Sequence, residues 1–205
     1  MQVTSPVSGF RRTLSSLNGD GAYGLTLAAL CALLLLPEIG GDAARLHLRY
    51  ERAALLAGEW WRLLTAHVIH LNLQHAALNT LGLILMWALF ARDYAARQWP
   101  VIVLAAVAAI DVGLWLGDST VEWYVGSSGV LHGVMAAGAF AHFRRREVDG
   151  WVLSAFLIGK LIYEQSTGAL PFAGKEVAVV VDAHLYGAIG GLVAAIILKL
   201  RSDSL

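Results

Sequence analysis

The sequence predicts an all-α membrane protein, a six-transmembrane-helix bundle with both termini cytoplasmic. Three observations carry that expectation. The 205 residues are 58% hydrophobic and 15% charged, with a mean hydropathy of +0.63. A soluble domain is nearer half apolar with about a quarter charged, so the excess apolar surface needs lipid. The apolar residues also fall into six runs separated by polar punctuation, and the basic residues divide unevenly between the two sets of loops. The net charge of zero argues against a nucleic-acid partner, because phosphate binding needs a basic surface. The single cysteine, Cys31, lies inside an apolar run and reads as a small buried hydrophobe.

Residues 1–20 form a polar, Ser-rich segment with Arg11 and Arg12 ahead of the first run. A signal peptide has a similar basic start and apolar core. Here the run 21–36 leads into Pro37-Glu38-Ile39-Gly40 with no small-x-small cleavage pattern close behind, so it reads as a first spanning helix over about 21–39. Further helices are expected over about 70–90, 99–117, 127–143, 151–165 and 176–200, with a tail at 201–205. Spanning takes about 20 helical residues. The short fourth and fifth segments fit helices that start below the surface or are shielded by neighbours. Residues 41–69 form a long, apolar external loop with Trp60 and Trp61, suited to an interface and expected to fold against the membrane.

Basic residues set the orientation. Arg11, Arg12, Arg92, Arg97, Arg144, Arg145, Arg146, Lys199 and Arg201 fall on one side, against Arg45, Arg49, Arg52, Arg62 and Lys175 on the other. The richer side is expected to be cytoplasmic, with the bias clearest in the short loop at Arg144, Arg145 and Arg146. Ser128, His75, Asn79 and His184 then share a depth near the external face.

Polar and ionisable groups inside a membrane are costly and are by default functional hypotheses. Ser128 stands in Gly126-Ser127-Ser128-Gly129 at the head of the fourth run. A hydroxyl nucleophile needs a base, and His184 offers one in the sixth run. Gly187 and Gly191 continue its face as a smooth stripe that lets the two helices approach. His75 and Asn79, at i and i+4, share a face of the second run and can either glue helices together or donate to an oxyanion. Glycines at 126 and 129 read either as packing residues or as space beside the hydroxyl. His132 lies one turn after Ser128, to stack on His184 or simply to fill that place. Asp182, two residues from His184, points to a different face and reads as structural. Asp111 and Lys160 lie within helices as a possible buried pair, though snorkelling accounts equally for Lys160. His67 reads as interfacial.

These residues resemble the rhomboid family of intramembrane serine proteases, of the six-helix bacterial type. Trp61-Arg62 is similar to that family's Trp-Arg pair. His70, His75 and Asn79 match its His-x4-His-x3-Asn pattern, Gly126-Ser127-Ser128-Gly129 its nucleophile motif, and Ala183-His184 with Gly187 and Gly191 its sixth helix. The resemblance implies Ser128 as nucleophile and His184 as base, a dyad with no third acid, with oxyanion stabilisation by His75, Asn79 and the Ser128 amide and support from Gly126, Gly129, His132 and Gly187. It implies transmembrane protein substrates, a lipid environment, and no metal or cofactor. It also places the chain in a bacterial inner membrane, with the site opening outward. The runs 58–65, 70–75 and 128–133 further resemble the rhombosortase branch, whose substrates carry C-terminal Gly-Gly sorting helices. Three alternatives stay open: a general rhomboid protease, a non-catalytic client-binding relative, and a transporter or metal protein built on His67, His70, His75, His132 and His184. The last needs those histidines to converge.

Overall fold

The computed structural model describes residues 22–168 and 180–198. Helix α1 (Ala22–Leu35) passes through a 3-10 turn (Leu36–Gly40) into α2 (Gly41–Leu48). Strand β1 (Tyr50–Glu51), α3 (Arg52–Leu56) and α4 (Arg62–Thr65) follow, then α5 (Leu73–Phe90) and α6 (Trp99–Val112). A π-type turn (Gly113–Gly117) extends α6 and leads to β2 (Trp123–Tyr124), α7 (Ser128–Arg144), α8 (Val148–Thr167) and α9 (Val181–Ile197). Among the described residues, three stretches are long and apolar enough to cross a membrane: Ala22–Leu48, Leu73–Phe90 and Ala96–Gly117, with α9 a shorter apolar helix. Large apolar side chains such as Leu33, Leu85, Leu104, Phe156, Ile162 and Ile196 face outward, where only lipid makes their exposure favourable.

Local chemistry sets the helix ends. The Asn72 side chain accepts from the His75 N–H at 2.8 Å and caps α5, a contribution of about 1 kcal/mol. Pro100 sits in the first turn of α6, where its missing N–H costs nothing. Helix α8 stops at Gly168, whose φ of +85° lies in the left-handed region.

The structure departs from the expected boundaries in three places. Pro37 falls in the first turn of a 3-10 segment, so the first helical run continues to Leu48 instead of ending near 39. The fifth helix is full length, Val148–Thr167, because Asp149 suits its N-terminal turn and Gly168 ends it. The external loop 41–69 is not simply helical or irregular: β1 pairs antiparallel with β2, Tyr50 opposite Tyr124, so a two-stranded ribbon qualifies the all-α expectation. The amino-terminal segment with Arg11 and Arg12, Lys175, the start of the sixth segment at 176–179, Lys199 and the tail with Arg201 lie outside the described residues.

Helix α7 is the centre, packed against α5, α6, α8 and α9. Its buried face is mostly Gly and Ala, including Gly129, Gly133, Ala136, Ala137, Gly138 and Ala141, beside Val130, Met135 and His142. A Cβ on Gly187 would overlap the Gly129 carbonyl, and one on Gly191 the Gly133 carbonyl. The α7 and α9 backbones therefore touch directly, the small-residue mode of packing in lipid.

Each end of the bundle carries polar ties. At one end, Arg62 is buried and donates to the Leu46 and Arg49 carbonyls, both at 2.8 Å, and to Glu59 at 2.7 Å. Arg52 donates to the carbonyls of Leu114, Trp115 and Asp118, closing the π-type turn. At the other end, the His142 imidazole lies between Asp93 and Asp149, 2.9 Å from each. Tyr94 donates its hydroxyl to the Ala137 carbonyl. Burial, reinforced by neighbouring Asp93, pushes its phenol up to about 12, so it remains a donor.

Candidate active site

Ser128 is the first residue of α7, where the helix leaves backbone amides unpaired. The preceding loop is pinned on both sides. The Gly126 N–H donates to the Ala66 carbonyl at 2.8 Å, and Tyr124 donates its hydroxyl to the Gly126 carbonyl at 2.7 Å. Since β2 ends at Tyr124, the ribbon with β1 is what anchors this loop. Gly126 has φ +115°, a conformation that side chains disfavour, and a Cβ there would also strike the His75 ring.

The structure brings Ser128 and His184 together, with Oγ 2.9 Å from Nε2. His184 is 5% exposed, so little water competes for that contact. The ring of His132 stacks on that of His184, centroids 4.2 Å apart and planes 14° apart. His132 Nδ1 donates to the Ser128 carbonyl at 2.7 Å, which fixes the stacked ring.

His75 and Asn79 flank the loop at Gly126, close to Ser128 in sequence. The His75 Nδ1 accepts from the Leu71 N–H at 3.5 Å, which leaves the proton on Nε2, the nitrogen facing Gly126. The Asn79 amide nitrogen is buried and makes no hydrogen bond to protein. A buried donor without an acceptor is costly, so this one suits an oxygen that arrives with substrate. His70, fully buried, backs this pair: its ring stands edge-on to His75 at 5.1 Å, and its Nε2 lies 3.2 Å from Ser127 Oγ.

Two carboxylates escaped the sequence reading. Glu164 on α8 places Oε2 2.9 Å from His184 Nδ1, while its Oε1 accepts from Lys160 at 2.6 Å. The expectation of an imidazole with no acidic partner is corrected here: Asp182 is not that partner, but Glu164 is. The signal was present as Lys160 and Glu164 at i and i+4 in an apolar helix. Glu38, in the turn between α1 and α2, accepts from the His70 N–H at 3.0 Å. The pair of Asp111 with Lys160 is not formed, since Asp111 lies 3.3 Å from His67 and Lys160 binds Glu164. His67 is 4% exposed, with Asp111 as its partner.

His132, Glu164 and His184 present ligand-type atoms within 4.8 Å of one another, as do His142, Glu147 and Asp149 near the far end of α7. In the first group hydrogen bonds already occupy His132 Nδ1 and both nitrogens of His184. His67, His70 and His75 do not join His132 and His184 in that group. An open groove of about 320 Å³ runs along residues 120–125 and Val180, beside the pinned loop.

Residues 57–201 match the family model described as the rhomboid domain. Rhomboid protease GluP of Bacillus subtilis is 29% identical over 150 residues, 73% of this chain and 28% of that protein. Putative rhomboid protease YdcA of the same organism is 24% identical over 134 residues, 65% of each chain. An uncharacterized protein of Mycobacterium leprae, ML1171, is 27% identical over 191 residues, 86% of this chain and 71% of that one. The chain thus spans less than two thirds of both Bacillus relatives.

Proposed function

Because this chain belongs to the rhomboid family of intramembrane proteases, we propose that it is a serine endopeptidase with Ser128 as nucleophile and His184 as general base. The observation that carries the reading is the 2.9 Å contact between Ser128 Oγ and His184 Nε2 at the head of a buried helix. A substrate transmembrane segment unwinds locally and presents a carbonyl. Ser128 attacks, His184 takes its proton, and the oxyanion is held by the Ser128 amide, His75 Nε2 and Asn79 Nδ2. His184 then protonates the leaving amine, and water hydrolyses the acyl-enzyme. The unpartnered Asn79 amide supports that oxyanion site.

The proposal extends to a six-crossing domain over residues 21–200, both termini cytoplasmic and the site opening to the external side. The basic residues around Arg144, Arg145 and Arg146 support that orientation. It extends also to exported substrates with a Gly-Gly-type C-terminal helix, on the sequence resemblance of residues 58–65, 70–75 and 128–133.

The test is cleavage of a reporter carrying such a helix by wild type and by Ser128→Ala. Cleavage by wild type alone supports nucleophile and substrate class together. Equal cleavage by the variant overturns the nucleophile. Cleavage only of a general single-pass reporter retains the protease and rejects the sorting-type substrate. Asn79→Ala is expected to lower kcat by about 10²- to 10³-fold, the usual effect of one oxyanion donor, with KM little changed. Steady-state kinetics in detergent measure it.

A further inference from the structure

Glu164 is nine-tenths or more buried, in the last turn of α8. An ionised carboxylate in such a place persists only when paired and hydrogen-bonded. Both of its oxygens are occupied, Oε1 by Lys160 at 2.6 Å and Oε2 by His184 Nδ1 at 2.9 Å. The other face of the same imidazole stacks on His132, and its other nitrogen meets Ser128 Oγ. Three groups from two helices, Ser128 and His132 on α7 and Glu164 on α8, thus converge on one ring carried by α9.

From this geometry we propose that Glu164 is a positioning residue for the reaction, making the site a Ser128–His184–Glu164 triad with Lys160 as its counter-charge. This rests on the reading of Ser128 and His184 as the reacting pair. A carboxylate accepts and does not donate, so it keeps the proton on Nδ1. The lone pair then lies on Nε2, aimed at the Ser128 hydroxyl. When Ser128 attacks, its proton passes to Nε2 and the ring becomes an imidazolium. Glu164 balances that charge without taking the proton itself, and the proton leaves Nε2 with the departing amine. Lys160 keeps Glu164 ionised, which a lone carboxylate at this depth would not remain. Stacked His132 holds the ring plane but contributes no charge to Nδ1.

The experiment uses the full-length protein in detergent and begins on wild type. The ¹⁵N signals of His184 at neutral pH are expected to report protonated Nδ1 and bare Nε2; the opposite tautomer overturns the proposal. Glu164→Gln is expected to lower kcat at least about 100-fold with KM within about twofold, less than the loss in soluble triads because stacking also orients the ring. Glu164→Asp should recover part of that loss. The double variant Lys160→Met/Glu164→Gln removes both charges and leaves no unpaired ion, so it folds even where Glu164→Gln does not. If the double variant stays as slow as Glu164→Gln, Glu164 acts on His184. If it regains the wild-type rate, Glu164 merely neutralises Lys160 and the proposal fails. Wild-type kcat in Glu164→Gln also overturns it. Cleavage that survives Ser128→Ala is a different failure, that of the nucleophile assignment itself.

Discussion

His184→Ala is expected to abolish turnover, lowering kcat by about 10⁴-fold or more, and to cost as much as Ser128→Ala. The double variant should lose no more than either single one, because in the proposed reaction the hydroxyl and the imidazole act as one unit across their 2.9 Å contact. Without Nε2 to accept its proton, Ser128 is an ordinary alcohol. Reaction of Ser128 with a fluorophosphonate should disappear in parallel, and the melting temperature in detergent should fall, because buried Glu164 loses one of its two partners. The His184 ring also stacks on His132 and meets Glu164, so Ala leaves a cavity and removes contacts of α9 with both α7 and α8. Additive losses in the double variant would mean that the two residues do not share a step.

Gly187→Val is expected to be nearly as severe, for a reason that lies in the backbone. The Cβ added at 187 would overlap the carbonyl oxygen and carbon of Gly129. Those are main-chain atoms of α7, so no rotamer change relieves the clash and α9 must move away. Gly129 directly follows Ser128, and His184 lies one turn before Gly187. The displacement therefore falls on the contact between Oγ and Nε2. A misplacement of about 1 Å can cost about 100-fold in rate, so a loss of at least that size is expected even in protein that remains folded. Gly159→Ala is the control, since nothing lies within 4 Å of a Cβ at that position on α8. Its rate and melting temperature should match wild type. Slow fluorophosphonate labelling with normal unfolding in Gly187→Val would separate misalignment from loss of fold. A wild-type rate would mean that the α7–α9 contact does not set the geometry of the site.

Much of this was legible in the chain. Composition and the apolar runs identify a membrane bundle because lipid burial demands long uninterrupted apolar helices, a signal spread over many residues. Ser128, His75, Asn79 and His184 stand out because polar groups are rare in such helices. The glycines at 187 and 191 announce a close helix approach by their spacing alone. The sequence alone places the end of the first helical run near 39, yet a 3-10 turn with Pro37 in its first turn leads on into α2.

Other features are matters of three-dimensional arrangement. The two-residue strands Tyr50–Glu51 and Trp123–Tyr124 are too short for any periodicity, and their partner lies some seventy residues away. Glu164 and Lys160 read locally as an i, i+4 ion pair. Only the packing of α8 against α9 turns one oxygen of that pair toward an imidazole twenty residues on. Sequence by itself determined which groups are chemically capable and which helices carry them, because composition and helical spacing are local properties. Tertiary structure alone decided which carboxylate meets His184, and that the Asn79 amide nitrogen has no partner among the described residues, because hydrogen bonds between helices depend on rotation and depth that no single helix encodes.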